Sequence, residues 1–173
     1  MCATTKPRNR KLGLYNPIPI PSHPWESIYM DIFWGLLMST KCNDYLYVVV
    51  DHFNKICALM PSKKKFTAEQ TTKMFFQNVW VHFGLPTSII YDRYSRFIWK
   101  FWSSLWVLME TKLKKSIAIH PQTDDQIEVV NRTIVNLLQG YCGKPPKFWD
   151  EHLHYIQHAY NHDKHSSTQV SPF

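Results

Sequence analysis

The chain has 173 residues, 45% of them hydrophobic and 15% aromatic, which suits one domain with a sizeable core and excludes a disordered chain. Its formal net charge of +7, with nine histidines besides, fits a polyanionic partner. The glycines form no Gly-x-Gly-x-x-Gly or Walker loop, and the longest apolar run, Ile32 to Met38, is too short to cross a bilayer, so a nucleotide cofactor and a membrane partner are disfavoured.

The first part of the chain predicts a linker followed by three strands. Residues 1–20 are basic and proline-rich, and we interpret them as a linker that leads into one domain over residues 21–173. Apolar, β-favouring runs then predict strands over Glu26–Met38, Asp44–Asp51 and Ile56–Met60. Because short turn segments separate these runs, an antiparallel meander is the simplest pairing.

The rest of the chain predicts helices that alternate with strands. Thr67–Phe83 is helical in period, offers a capping box at Thr67 and Gln70, and is ended by Gly84 and Pro86. The elements predicted after it are a strand over Thr87–Tyr91, a helix over Ser95–Met109, a strand over Thr111–Ile119, and helices over Gln122–Gln139 and Pro146–Asn161. Pro121 stands where the helix over Gln122–Gln139 is expected to begin. This order predicts an α/β fold, a mixed sheet with helices on both faces.

Three acidic residues on separate elements are candidates for a functional site. Asp31 interrupts an apolar strand, where a carboxylate without a partner is costly. Asp92 stands where a buried strand ends. Glu128 shares a helix face with Asn131 and Arg132, because they are three and four residues apart. The ordinary structural interpretations are a hydrogen-bonded Asp, a turn or capping Asp and a solvated helix face.

Convergence of the three carboxylates would require a cofactor. Three such groups at one point repel each other unless cations lie between them. Hard divalent ions suit oxygen ligands, so the predicted cofactor is Mg²⁺ or Mn²⁺, bound as two ions. Two such ions activate an attacking oxygen and stabilise a leaving oxygen in phosphodiester chemistry.

A set of short motifs spans nearly the whole chain. They are Pro17-Ile18-Pro19-Ile20-Pro21 with Pro24-Trp25-Glu26, Met30-Asp31, Val49-Val50-Asp51, Phe83-Gly84-Leu85-Pro86, Asp92-Arg93 with Arg96-Phe97, His120-Pro121-Gln122-Thr123-Asp124 with Gln126, Glu128 and Asn131-Arg132, Trp149-Asp150-Glu151, Ala159-Tyr160-Asn161, and His165-Ser166-Ser167-Thr168 with Ser171-Pro172-Phe173. Together with the spacing of Asp92 and Glu128, these motifs resemble the integrase catalytic core of gypsy-type long-terminal-repeat retrotransposons, within the retroviral integrase superfamily.

The resemblance implies a ribonuclease-H-like α/β fold, with a five-stranded mixed sheet of three antiparallel strands followed by two parallel ones. It implies that Asp31, Asp92 and Glu128 are the catalytic metal ligands of a polynucleotidyl transferase that processes DNA 3′ ends and joins them into target DNA. The expected partners are element ends and target DNA, in a homo-oligomer that acts in the nucleus after particle assembly in the cytoplasm. The expected DNA contacts are Asn131, Arg132, Lys114, Lys115, His120 and Gln122.

Departures from the family pattern leave other interpretations open. Asp125 stands where the family usually has Gly, in the loop before the third acid, and Tyr94 replaces a small or acidic residue. The family's protein also has an upstream zinc-binding module, whose last ligand Cys2 resembles, and a basic domain downstream. One alternative is a catalytically silent relic that binds nucleic acid or a protein. The other is a ribonuclease-H-like nuclease, which the motifs at the chain's end disfavour.

Overall fold

A computed structural model of the chain describes residues 21–91, 104–105, 118–121, 125–142, 146–165 and 169–172. The strands within these residues are β1 (Ser27–Phe33), β2 (Tyr45–Asp51), β3 (Cys57–Ser62), β4 (Ser88–Tyr91) and β5 (Ala118–Pro121). They form one sheet in the order β3-β2-β1-β4-β5, so β1 is central. β1 and β3 pair antiparallel with β2, whereas β4 lies parallel to β1 and β5. The predicted meander and mixed sheet are confirmed.

The helices follow the predicted order, with local differences. They are α1 (Ala68–Phe75), a π-helical stretch (Phe76–Trp80), α2 (Val81–Phe83), α3 (Asp125–Cys142), a 3₁₀ helix (Pro146–Glu151) and α4 (Leu153–His162). The predicted capping box is confirmed, since the Thr67 side chain accepts the N–H of Gln70 and the Gln70 side chain accepts the N–H of Thr67. None of the helices that the structure describes is both long and apolar enough to cross a membrane.

Side chains of the sheet alternate between two cores, one on each face. The buried residues of the first core are Trp25, Ile28, Met30, Tyr47, Val49, Ile56, Ala58, Met60, Phe75, Val79, Ile89 and Leu105. Those of the second core are Tyr29, Leu46, Val48, Val50, Cys57, Leu59, Ile90, Val130, Ile134, Leu138, Trp149, Leu153, Ile156 and Tyr160. Helix α1 covers the first face, and α3 and α4 cover the second, so the prediction of helices on both faces is confirmed.

The first predicted strand is too long. β1 ends at Phe33 rather than Met38, and Gly35 follows at a positive φ of 79°, which breaks the extended conformation. Leu36 then packs against the second core, and the carbonyl of Leu37 accepts the indole N–H of Trp149 at 2.7 Å. The apolar run therefore serves the strand first and the loop after it.

Two further boundaries differ from the sequence predictions. Pro121 does not begin a helix, because it is the last residue of β5 and pairs with Tyr91. β5 lies at the edge of the described sheet, where a proline without an N–H is tolerated. The helix predicted over Pro146–Asn161 is two helices, and the 3₁₀ helix contains non-helical backbone at Phe148.

Some predicted elements cannot be compared in full. The linker over residues 1–20 and the strand residues 111–117 lie outside the described residues. Of the helix predicted over Ser95–Met109, only Ser104 and Leu105 are described, and both are helical.

Candidate active site

Asp31 lies in the central strand, next to the point where β4 ends. It pairs with Val48 of β2, and the preceding residue, Met30, pairs with Tyr91, the last residue of β4. The side chain of Asp31 is only half-buried, and its Oδ1 accepts the N–H of Ile32 at 2.7 Å. None of the ion pairs among the described residues involves this carboxylate.

Helix α3 is attached to Asp31 by a side-chain hydrogen bond. The amide of Asn131 donates from Nδ2 to Oδ2 of Asp31 across the gap between helix and sheet. Asn131 is half-buried, and its own Oδ1 is buried without a hydrogen-bond partner among the described residues. A buried amide oxygen in that state is costly and suits a further donor or a cation. The next residue, Arg132, is exposed.

The other two acids are reached only through their neighbours in the chain. Glu128 is helical in α3, one turn before Asn131. Asp92 lies outside the described residues and directly follows Tyr91, the partner of Met30. The structure therefore brings Asp31 together with the helix that carries Glu128, and convergence of the three carboxylates stays a prediction.

The residues predicted to contact DNA fall into two groups. Lys114, Lys115 and Gln122 lie outside the described residues. His120 belongs to β5, opposite Ile90, and its position in a strand was not expected. Asn131 and Arg132 share α3, as predicted. Sequence reasoning missed the bond from Asn131 to Asp31, and its only signal was the three-residue spacing from Glu128.

A second aspartate, Asp51 at the end of β2, has a different environment. It is fully buried, and Oδ1 accepts the N–H groups of Trp25 at 2.9 Å and Phe53 at 3.2 Å, while Oδ2 accepts that of Asn54 at 3.3 Å. Burial raises the pKa of the Asp51 carboxyl, although the three backbone donors and Lys55 oppose the shift. This carboxylate ties three loop amides together, which is a structural role.

The oxygen atoms of Asp31 and Asn131 are suitable ligands for a hard cation. A carboxylate offers about four lone-pair positions, and the two hydrogen bonds to Asp31 leave room for further partners. The unpartnered Oδ1 of Asn131 is also an oxygen, the ligand type that Mg²⁺ and Mn²⁺ prefer. Within the described residues, no three acidic, histidine or cysteine side chains converge on one point. Asp92 is not among those residues.

The chain is similar to part of a group of transposon polyproteins. It is 40% identical over 173 residues to the transposon Tf2-3 and Tf2-4 polyproteins of Schizosaccharomyces pombe. The match covers 99% of this chain and 13% of each polyprotein, so the chain spans about one eighth of the length of these relatives. No model of a protein family matches the chain.

Solved structures share the fold. The integrase catalytic core domain of HTLV-2, solved with magnesium in a trimeric form, superposes with a TM-score of 0.62 and 21% identity, over 86% of this chain and 94% of that one. A chain from the simian T-cell lymphotropic virus intasome in complex with the PP2A regulatory subunit B56 gamma superposes with a TM-score of 0.68 and 19% identity, over 90% of this chain and 55% of that one. The chain therefore has the ribonuclease-H-like fold of these integrase catalytic cores.

Proposed function

We propose that residues 21–173 are the catalytic core of an integrase from a gypsy-type long-terminal-repeat retrotransposon. It acts as a metal-dependent polynucleotidyl transferase that trims DNA 3′ ends and joins them to target DNA in the nucleus, as part of a homo-oligomer. The observation that supports this best is the hydrogen bond from Asn131 to Asp31, because it holds the helix of Glu128 against the strand of Asp31. The fold shared with integrase cores agrees with it.

Asp31, Asp92 and Glu128 are the proposed ligands of two Mg²⁺ or Mn²⁺ ions. When bound, the ions would supply positive charge that activates the attacking water or 3′-hydroxyl and stabilises the leaving oxygen of the phosphodiester. The carboxylate of Asp31 is oriented for this task from two sides, by the N–H of Ile32 and by the amide of Asn131. Partners that fix the orientation of a ligating carboxylate also strengthen metal binding.

Substrate DNA is held by the basic groups beside the acids. Arg132 is exposed on α3 next to Asn131, where a guanidinium can contact a phosphate. Lys114, Lys115, His120 and Gln122 complete the proposed DNA contacts. The oxygen of water attacks phosphorus in end trimming, and a DNA 3′-hydroxyl attacks in joining. In both steps the opposite P–O bond breaks and its oxygen leaves as a 3′-hydroxyl, so no covalent bond to the enzyme forms.

A strand-transfer assay with the full-length element protein tests this proposal. Joined product should appear only with Mg²⁺ or Mn²⁺, and Asp31→Asn and Glu128→Gln should each abolish it while the protein stays folded. Glu69→Gln, a change of an exposed acid on α1, is the matched control and should leave the product unchanged. Product from Asp31→Asn, or product without a divalent ion, contradicts the proposal.

Asp125 favours a second candidate, a silent relic that binds nucleic acid or a protein. It is the first residue of α3, where a negative charge stabilises a helix by up to about 1 kcal/mol. The same charge lies three residues before Glu128 and repels DNA phosphates. Asp125→Gly should therefore raise strand transfer and leave stability equal or slightly lower. Inactivity of both versions, with metal binding intact, supports the relic, and full activity that Asp125→Gly does not improve excludes an inhibitory role.

A further inference from the structure

Three histidines recur along one side of the last helix. His154, His158 and His162 follow each other at intervals of four residues in α4, which places them about 6 Å apart along the helix axis. All three are exposed, and they line one groove of about 510 Å³ together with residues of β3 and the 3₁₀ helix. Imidazole nitrogen is a ligand that divalent transition metals prefer, so this groove is a candidate metal site.

The rings of His158 and His162 lie in contact. Their centroids are 3.9 Å apart, and the ring planes differ by 35°. Two nitrogens that bind one tetrahedral ion, each at about 2.1 Å, are about 3.4 Å apart. Small rotations of these exposed side chains therefore bring one nitrogen of each ring to a shared ion. A pair of histidines with the same four-residue spacing on a helix binds zinc in metalloproteases.

A hydrogen bond of His162 selects the nitrogen that can bind the ion. Nδ1 of His162 lies 2.9 Å from the carbonyl oxygen of His158. Because a carbonyl oxygen only accepts, Nδ1 carries the proton, and the lone pair of the neutral ring is on Nε2. Bonds of this type, from one ring nitrogen to a backbone carbonyl, fix the tautomer and the orientation of histidines that bind metals.

The same groove contains a buried carboxylate oxygen. Asp150 is 8% exposed, and its Oδ2 accepts the side chains of Ser39 and Asn43 at 2.6 and 2.7 Å. Its Oδ1 has no hydrogen-bond partner among the described residues, and neither of the ion pairs found there involves Asp150. Asp150 lines the groove with the three histidines. Its negative charge favours a cation in the groove over an anion.

We propose that His158 and His162 bind one divalent transition-metal ion of the Zn²⁺ class on the exposed face of α4. In the part of the chain that the structure describes, no three histidine, cysteine or acidic side chains converge on one point, so water completes the coordination. Nitrogen ligands suit Zn²⁺, whereas the oxygen ligands of the acidic site suit Mg²⁺ and Mn²⁺. The proposed metal site is separate from the catalytic site and does not depend on the proposed function.

An ion bound by this pair links the last two turns of α4, beside a contact that holds the helix on the sheet. Asn161 lies between the two histidines, and its side chain accepts the N–H of Cys57 at 2.9 Å and donates to the carbonyl of Cys57 at 3.1 Å. Cys57 begins β3, which lies at an edge of the described sheet, where backbone groups need partners other than a neighbouring strand. The ion therefore stabilises the segment that closes this edge.

Isothermal titration of the 173-residue chain with Zn²⁺ tests the proposal, in excess Mg²⁺ so that the acidic site is occupied. His158→Gln and His162→Gln should each weaken Zn²⁺ binding by at least about tenfold, because the loss of a residue that only orients a metal ligand already costs that much. His82→Gln, a change of an exposed histidine on α2, is the matched control and should leave the affinity unchanged. His154→Gln should also leave it unchanged.

Equal Zn²⁺ affinity in wild type and in His158→Gln overturns the proposal, and so does a wild-type chain that binds no Zn²⁺. A loss in His154→Gln as large as that in His162→Gln shows that the ion is not held by the proposed pair. Circular dichroism of each variant without metal shows whether it is folded. A folded His162→Gln chain with wild-type affinity contradicts the role of Nε2.

Discussion

Asp31 and Asp51 lie on neighbouring strands and have opposite environments. Asp51 is fully buried and accepts three loop N–H groups, so its oxygens are used within the fold. Asp31 is half-buried and receives the N–H of Ile32 and the amide of Asn131. The fold thus uses one carboxylate to join its own backbone and keeps the other accessible.

The difference separates a structural acid from a functional one. A carboxylate that organises a loop is saturated by donors from the backbone, and its removal leaves those donors unsatisfied. A carboxylate that binds a cation needs unused lone pairs, together with hydrogen-bond partners that fix its orientation without occupying those lone pairs. Both residues occur as an Asp within or after an apolar strand, so the sequence pattern alone does not separate these two roles.

The largest expected effect is on stability. Asp51→Ala leaves three amides without an acceptor and should lower the free energy of unfolding by about 3 kcal/mol. Asp31→Ala should lower the free energy of unfolding by less than about 1 kcal/mol. Asp31 is only half-buried, so water can replace its carboxylate as the acceptor for at least one of its two hydrogen-bond donors. Urea unfolding of both variants measures the difference. Equal losses contradict the assignment of Asp51 as the structural acid.

A smaller effect is expected on metal binding when Asn131, the residue that orients Asp31, is changed. Asn131→Ala removes the donor that orients Asp31 and should weaken Mg²⁺ or Mn²⁺ binding by about tenfold to a hundredfold. Asn136→Ala, an exposed position on the same helix, is the control. Isothermal titration with Mn²⁺ gives both affinities. Wild-type affinity in Asn131→Ala shows that this bond has no part in the site.

The smallest expected effect is a pH dependence that belongs to Asp51. Because the folded pKa of Asp51 lies above its ordinary value of 3.8, its contribution to stability is fully present below that value and is lost as the pH rises through the folded pKa. The stability of wild type relative to Asp51→Asn should therefore fall as the pH rises above the ordinary value of 3.8. Unfolding curves of both proteins above this pH provide the test, and a difference that grows with pH has the wrong sign.

Local signals made several elements predictable. The capping box at Thr67 and the helix end at Gly84 depend on residues within one turn, and both are present in the structure. The short turn segments between the three apolar runs were enough to predict the antiparallel meander of β1, β2 and β3. Asp31, the acid that interrupts an apolar strand, was recognised because a buried carboxylate needs a partner.

Contacts between distant residues limited the rest. After β1 ends, Leu36 packs against the second core and the carbonyl of Leu37 accepts the indole N–H of Trp149, 112 positions away, which no local pattern records. Pro121 joins β5 because that strand lies at an edge, and edge position is a property of the assembled sheet. The bond from Asn131 to Asp31 likewise depends on how α3 lies on the sheet.

The most direct test of the central claim, that Asp31 is kept open for a cation, is the Mg²⁺ dependence of the free energy of unfolding. Binding to the folded chain alone should raise that free energy by about 2.7 kcal/mol when free Mg²⁺ reaches about a hundred times its dissociation constant. The rise should be lost in Asp31→Asn and kept in Asp44→Asn, whose carboxylate accepts the N–H of Lys64 on another loop. The same rise in Asp31→Asn as in wild type, or none in wild type, contradicts the claim.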